Sequence, residues 1–509
     1  MAFMPTIAAI DIGSNAIRLA IANTKAEGGY ETVYSVREPV RLGQDVFTKG
    51  LISAHTVDQL VQTLAEFKKK LEEHRVAHSK AVGTSALREA TNRDAVLRTV
   101  SKGTGVDIGI IGGEEEARLI HLAARETINL KGKLALLVDI GGGSVEVVLA
   151  DDSTILCTES YEMGSVRLLK ILGEKAGEER FNQLVTEYVD ATQRRLEQEI
   201  GNQKIDICIG TGGSIESLGE LRRELFGKNS NQKVTADELK SIVKKLRSTT
   251  FEERIQEFRL RPDRADVIVP AAIVLQKIVE QAGVAEVTIP GIGLKDGVLL
   301  EIISELRHHE TRFYREQVIE SALHLGRKYF FDERHGSTVS NLAIQIFDQT
   351  KSTHELDQEG RLILEVAALL HDIGHYVNVS HHHKHTQYIL QASPLIGLTS
   401  LQMSIVANVA RYHRKSGPKL QHKPYEDFAP KHRLTISKLA AILRLADALD
   451  HEHASTVQEV EVEYKRPRFL FKLKGKGDML LEKWALANKR DLFESVFDCS
   501  VVVEDLAQP

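Results

Sequence analysis

Disulfide pairing, membrane spans and a net positive charge are all missing from this chain of 509 residues. Its three cysteines (Cys157, Cys208 and Cys499) stand far apart with no CxxC pair. That excludes a disulfide framework and points to a reducing, cytoplasmic setting. No apolar run is long enough to cross a bilayer, and the N-terminus lacks the basic stretch and apolar core of a signal peptide. The formal net charge of −5 gives no general attraction to nucleic acid or anionic membranes, so neither is an expected partner. A polyanionic substrate must be drawn by local cations or by metal. The GxxxxGKS/T spacing is absent, as is a full GxGxxG with its downstream acidic residue, which disfavours P-loop and dinucleotide-binding enzymes. Hydrophobic content of 42% and charged content of 27% are those of a globular protein, with length for three or four domains.

What is present is a repeated turn. Leu134 to Val138 is an apolar, strand-like run. Asp139 follows at the strand end, then Gly141, Gly142, Gly143 and Ser144, and Val145 to Ala150 resumes a strand. Such a glycine turn lets a ligand approach the backbone, and its successive N–H groups form a nest for an anion, most simply phosphate. Asp139 and Glu146 would repel phosphate unless a divalent cation lay between them, as Mg²⁺ does at such sites. Ile7 to Ala22 repeats the pattern with Asp11, Gly13, Ser14 and Asn15, which predicts two similar half-domains facing each other. A third glycine turn, with Gly212, Gly213 and Ser214, follows the apolar run from Ile205.

Between the turns the chain reads as α/β. Glu31 to Val36 and Lys80 to Gly83 are strand-like, and Val57 to Arg75 has helical spacing. Thr84 and Ser85 suit a helix start, which puts Arg88 in the first turns, where a forked cation can meet phosphate oxygens. Glu114, Glu115 and Glu116 open another helix. Acidic residues are good capping there, and one of them aimed into the cleft would serve as a general base. Composition does not tell the three apart. Phe181 to Ile200 and Ala236 to Leu246 are predicted helices, and Asp263 to Gln281 runs into another. Ala285 to Ile289 is a strand before the loop Pro290 to Gly297.

In order, the segments DIGSN, TSALREATN, GGEEEARLI, DIGGGSVE, GTGGS and PGIGLKDG resemble the exopolyphosphatase / guanosine pentaphosphate phosphohydrolase family over roughly the first 300 residues. The resemblance implies two actin-like halves around a cleft and Mg²⁺-dependent hydrolysis of a terminal phosphoryl group. The substrate is inorganic polyphosphate in the first reading and the 5′ γ-phosphate of guanosine pentaphosphate in the second. A kinase or ATPase with this fold would need an acceptor site, and a nucleotide-sensing regulator would have little use for a base beside a metal. The resemblance assigns catalysis to Glu115. It assigns metal to Asp11, Asp139 and Glu146, and phosphate to Gly13, Ser14, Asn15, Arg88, Gly141, Gly142, Gly143, Ser144, Gly212, Gly213 and Ser214. It also implies a homodimer.

From about Thr311 helical spacing dominates and histidines crowd in. Leu362 to Leu370 is apolar nearly all round, hence a buried helix, and ends in His371-Asp372. With His335 upstream and Asp447 downstream, this resembles the HD phosphohydrolase superfamily, and the four residues are a candidate site for a second divalent metal. His381 to His385, and Arg411 with His413 to Lys415, form basic strips that the family reading assigns to a polyphosphate channel. Val457 to Asp505 alternates as β-β-α-β. The expected fold class is α/β: two actin-like (ribonuclease H-like) halves over 1–118 and 119–302, an all-α HD-like domain over 303–455, and a small α+β cap over 456–509.

Overall fold

The computed structural model describes residues 5–505 except 26–28, 152–154, 174–177, 193–203, 308–310, 394, 396 and 478. It divides into two compact units, Met1–Thr311 and Arg312–Pro509.

The first unit contains two sheets. Strands β1 (Thr6–Ile12), β2 (Ile17–Thr24), β3 (Tyr30–Glu38), β4 (His78–Gly83) and β5 (Ile108–Ile110) pair in the order β3-β2-β1-β4-β5. Strands β6 (Ala135–Ile140), β7 (Val145–Ala150), β8 (Ile155–Tyr161), β9 (Ile207–Thr211), β10 (Lys233–Thr235) and β11 (Glu286–Thr288) pair in the order β10-β11-β9-β6-β7-β8. In each sheet three sequential strands run antiparallel, and the first of them then pairs in parallel with the fourth, β4 or β9. The repeated glycine turns therefore mark a repeated sheet. Every residue of β6 and β7 is buried, as expected of strands covered on both faces by helices. Each half keeps its own apolar core.

Helix boundaries follow local chemistry. Ser53 caps helix Ala54–Glu73 by accepting from the Thr56 N–H, and Thr235 with Glu238 forms a reciprocal capping box. Thr84 occupies the cap position of helix Ser85–Glu89, but its hydroxyl makes no capping bond. The expected continuous helix from Asp263 is instead two, Pro262–Ala265 and Ile268–Ala282. Of the helix predicted over Phe181 to Ile200, the structure shows Glu178–Thr192, and 193–200 lie outside the described residues.

The second unit is mostly helical, with a three-stranded sheet of β12 (Val457–Lys465), β13 (Arg468–Gly475) and β14 (Ser500–Asp505) in the order β12-β13-β14. The single helix expected between the last two strands is split into Leu480–Lys489 and Asp491–Phe497. Phe469, Phe471, Phe493 and Val501 share one core with Val339, Ala343 and Leu443. Gln345 and Gln349 of helix Glu333–Gln349 bond the Val460 backbone. The segment expected as a cap is thus continuous with the helices beneath it.

In the first unit, helix Leu294–Arg307 lies hard against helix Gly113–Thr127. A Cβ on Gly297 would collide with the Leu119 carbonyl, and Arg118 pairs with Glu301. Gly297→Ala is expected to cost about 1–3 kcal/mol through overpacking, read as a lower denaturation midpoint at unchanged slope.

Candidate active site

The two hairpins build the site. In both turns the same bond closes the loop: Gly13 N–H donates to Ala16 O at 3.1 Å, and Gly141 N–H donates to Ser144 O at 3.1 Å. The loops approach so closely that a Cβ on Gly142 would lie 3.0 Å from the Ser14 Cβ and 3.2 Å from the Asn15 nitrogen. Gly212 has φ +91°, a left-handed backbone, and a Cβ there would meet the Ile140 carbonyl at 2.7 Å. These constraints explain why the cleft is walled by glycines.

Gly13, Ser14, Asn15, Gly141, Gly142, Ser144, Gly212, Gly213 and Ser214 all line one cleft. Gly143 and Arg88 are not among its lining residues. Gly143 is packed against Ser14, Phe47 and Ser85, and its carbonyl accepts from Arg167 at 2.7 Å. Arg88 donates to the Ile111 carbonyl at 2.8 Å while its charge acts on Glu116 and Glu146. The side chain of Asn15 is occupied structurally, bonding the Asp263 carbonyl and Arg41.

Three carboxylates converge in the cleft: ligand atoms of Glu116, Asp139 and Glu146 lie within 4.8 Å of one another, all buried. Thr211 donates to Asp139 at 2.5 Å, and Ser160 to Glu146 at 2.9 Å. Burial first, and then the charges of Glu146 and Asp139, hold the Glu116 carboxyl well above its ordinary range. Burial, with its neighbours, raises Asp139 to about 6 and Glu146 to about 7. One oxygen each of Glu116 and Glu146 (Oε2) is buried without a hydrogen-bond partner. Unpartnered hard oxygens held together against their repulsion fit a Mg²⁺ ion.

Two assignments change. Glu115 is turned away from the carboxylate cluster into a two-bond ion pair with Arg118 at 2.8 Å, and among Glu114, Glu115 and Glu116 only Glu116 lines the cleft. The helix starts at Gly113, so its pitch places Glu116, the fourth residue, on the face toward Asp139. Asp11 lines the cleft but is neutralised by Arg18 at 3.0 Å, its register partner across the hairpin. The corresponding partner of Asp139 is Glu146. The same position thus carries a cation in one half and a carboxylate in the other.

Arg18 and Arg264 were not singled out from sequence. Arg264 is buried and lines the cleft, donates to Ser214 Oγ at 2.6 Å, and pairs with no carboxylate among the described residues. Burial, then Arg18 and Arg37, lowers it to about 9. Aligning the two hairpins would have flagged Arg18; nothing in RPDRADV marks Arg264.

In the second unit the structure brings His335, His371, Asp372 and Asp447 together. His382 and His413, which the sequence places in the basic strips assigned to a polyphosphate channel, are buried beside Asp372, and His383 is buried as well. The helix over His382–Ala392 turns one face of that strip inward.

Carboxylates facing arginines across amide-lined turns define an enzyme that handles phosphoryl groups. Residues 21–306 match the Ppx/GppA phosphatase family, and 317–493 match Ppx/GppA phosphatase, domain III. The chain belongs to the Ppx/GppA phosphatase family and is a hydrolase of phosphoanhydride bonds. It is 26% identical over 459 residues to a guanosine-5′-triphosphate,3′-diphosphate pyrophosphatase of Vibrio vulnificus, covering 89% of this chain and 88% of that one. A protein of the same description from Photobacterium profundum is 26% identical, over 87% and 85% of the two chains. Among solved structures, an exopolyphosphatase from Cytophaga hutchinsonii matches at 26% identity and TM-score 0.56, covering 59% of this chain and 98% of that one. The Ppx/GppA family member of Aquifex aeolicus matches at 26% identity and TM-score 0.52, over 60% and 99%. No helix among the described residues is long and apolar enough to cross a membrane.

Carboxyls raised in the folded chain retain protons that the unfolded chain has already lost. The metal-free protein should therefore lose stability as pH rises from the ordinary values of 3.8 and 4.5 through about 6 for Asp139 and about 7 for Glu146. In chelator, the melting temperature is expected to fall between about pH 5 and about pH 7.5, and Mg²⁺ should flatten that slope.

Proposed function

We propose that the cleft hydrolyses the terminal phosphoanhydride of a linear polyanion, with Glu116 as general base. The observation that carries this reading is the placement of Glu116 within 4.8 Å of Asp139 and Glu146, in a cleft also lined by Arg18 and Arg264. Asp139 and Glu146 would hold Mg²⁺, which supplies charge neutralisation at the phosphoryl oxygens. Glu116 takes a proton from water, the water oxygen bonds to phosphorus, and the bridging P–O bond breaks toward the departing chain. Burial and the neighbouring carboxylates raise its affinity for protons, which strengthens it as a base. Backbone N–H groups at Gly142–Ser144 and Ser14–Asn15 orient the phosphoryl group, and Arg264 and Arg18 balance the charge of the next phosphates.

Of the two substrates, guanosine pentaphosphate is now preferred over inorganic polyphosphate, the order opposite to that drawn from sequence. The preference rests on relatives described as guanosine-5′-triphosphate,3′-diphosphate pyrophosphatases that align over nearly the whole chain. The exopolyphosphatase structure aligns over 59% of it.

Phosphate release with Mg²⁺ should be compared on guanosine pentaphosphate and on long-chain polyphosphate. Faster release from the nucleotide is expected, and the reverse would restore polyphosphate. Glu116→Gln should lower kcat by about 10²–10⁴-fold with substrate binding retained. Glu115→Gln should stay near wild type; loss of turnover there instead would move the base back to Glu115. Arg264→Ala should act mainly on KM.

A further inference from the structure

The glycine turn after β6 is held from behind by a segment that the proposed chemistry does not use. The carbonyls of all three glycines are turned onto the start of helix Ser165–Gly173. Gly141 O accepts from the Ser165 N–H at 3.1 Å. Gly142 O accepts from the N–H groups of Val166 at 2.8 Å and Arg167 at 3.0 Å. Gly143 O accepts from the Gly164 N–H at 3.3 Å and from Arg167 Nε at 2.7 Å. The first N–H groups of a helix have no partner within it, and this helix start directs its own to the turn. Gly164 permits the approach, since a Cβ there would lie 2.3 Å from the Gly143 carbonyl carbon.

A peptide unit is planar and trans, so its N–H points opposite to its C=O. Fixing the Gly141, Gly142 and Gly143 carbonyls on the helix therefore sends the N–H groups of Gly142, Gly143 and Ser144 the other way. Gly142 and Ser144 line the cleft. Glycine peptides reverse easily, so these bonds decide which side of the turn donates. The Gly143–Ser144 peptide is the one gripped by a charged side chain. A guanidinium on its oxygen draws electron density toward the carbonyl and makes the Ser144 N–H a stronger donor.

Arg167 is in turn fixed from the other half. It is buried, its Nη2 pairs with Glu89 at 2.5 Å, and its guanidinium carbon lies 4.2 Å from the centre of the Phe47 ring. Glu89 ends helix Ser85–Glu89, and Phe47 belongs to helix Leu42–Lys49. A second carboxylate, Glu162, is exposed and 3.8 Å away. Arg167 is not among the residues that line the cleft, so it acts on substrate only through the turn.

We propose that Arg167 is a positioning residue for phosphoryl transfer. It holds the Gly143–Ser144 peptide so that the Ser144 N–H meets the transferred phosphoryl group. Its pair with Glu89 makes that orientation depend on the packing of the two halves at this seam. The inference rests on the phosphatase reading of the cleft and adds to it how the donor is aimed. The amide bears on charge that builds at the phosphoryl oxygens during transfer, so Arg167 acts on kcat more than on KM. Arg264 differs, because it lines the cleft and meets charge that the substrate already carries.

The test uses the full chain with Mg²⁺ and whichever of guanosine pentaphosphate and long-chain polyphosphate the wild type turns over faster. Arg167→Met should lower kcat about 10²-fold, with KM changed far less. Guanidinium ion at a non-denaturing concentration should restore part of that rate, because it can refill the space over Phe47 and bond the Gly143 oxygen. Glu89→Gln should also lower kcat, and the double variant should be no slower than Arg167→Met alone. Circular dichroism and the denaturation midpoint separate lost orientation from lost fold. Should Arg167→Met not fold, Glu89→Gln carries the same split between kcat and KM. A folded Arg167→Met with wild-type kcat, a loss confined to KM, or a loss that guanidinium does not lift overturns the proposal. A wild-type kcat in Glu89→Gln, or losses that multiply in the double variant, overturns the dependence on the other half. A wild type that releases phosphate from neither substrate fails the phosphatase reading and this inference with it, which an active wild type unchanged by Arg167→Met does not.

Discussion

Mutual repulsion among Glu116, Asp139 and Glu146 is the constraint around which the first unit is built. Three carboxylates buried within 4.8 Å of one another are unfavourable in any protein interior. They persist because each is fixed by a different element: Asp139 by the end of β6, Glu146 by β7, and Glu116 by the first turn of helix Gly113–Thr127. Thr211 and Ser160 take up one lone pair on each of two of them, and Arg88 tempers the field. The repulsion that remains favours a cation among them and raises the affinity of Glu116 for protons.

The second constraint is space. The two glycine turns nearly touch, and Gly142 and Gly212 sit where a Cβ would strike Asn15 or Ile140. Amides from both turns can therefore reach a phosphoryl group that no side chain screens. Arg167 ties the arrangement together by bonding the Gly143 carbonyl and pairing with Glu89 from the other half. A single guanidinium thus couples the packing of the two halves to the shape of the turn.

Much of this was legible in the chain. The turn at Gly141–Ser144, its partner at Gly13–Asn15 and the strands around them follow from local chemistry, namely apolar runs interrupted by glycine and a carboxylate. Helical phase was harder. Glu115 and Glu116 differ by one residue and have the same chemistry, and only the register of the helix start decides which enters the cleft. Long-range pairing was harder still. Asp11 resembles Asp139 in sequence, yet the residue facing it across the strand pair is Arg18. The buried histidines His382 and His413 looked like surface charge because a run of polar residues does not reveal which helical face turns inward.

The matched hairpins also give the cleft a direction. Their backbones are near copies, so a ligand lying between them would, by shape alone, fit either way round. Their charges are opposite at the corresponding position, Arg18 in one and Glu146 in the other. The two hairpins thus repeat in chain path but not in charge, one carrying a neutralised pair and the other two carboxylates. A linear anion entering the cleft would meet two carboxylates at one hairpin and a guanidinium at the other.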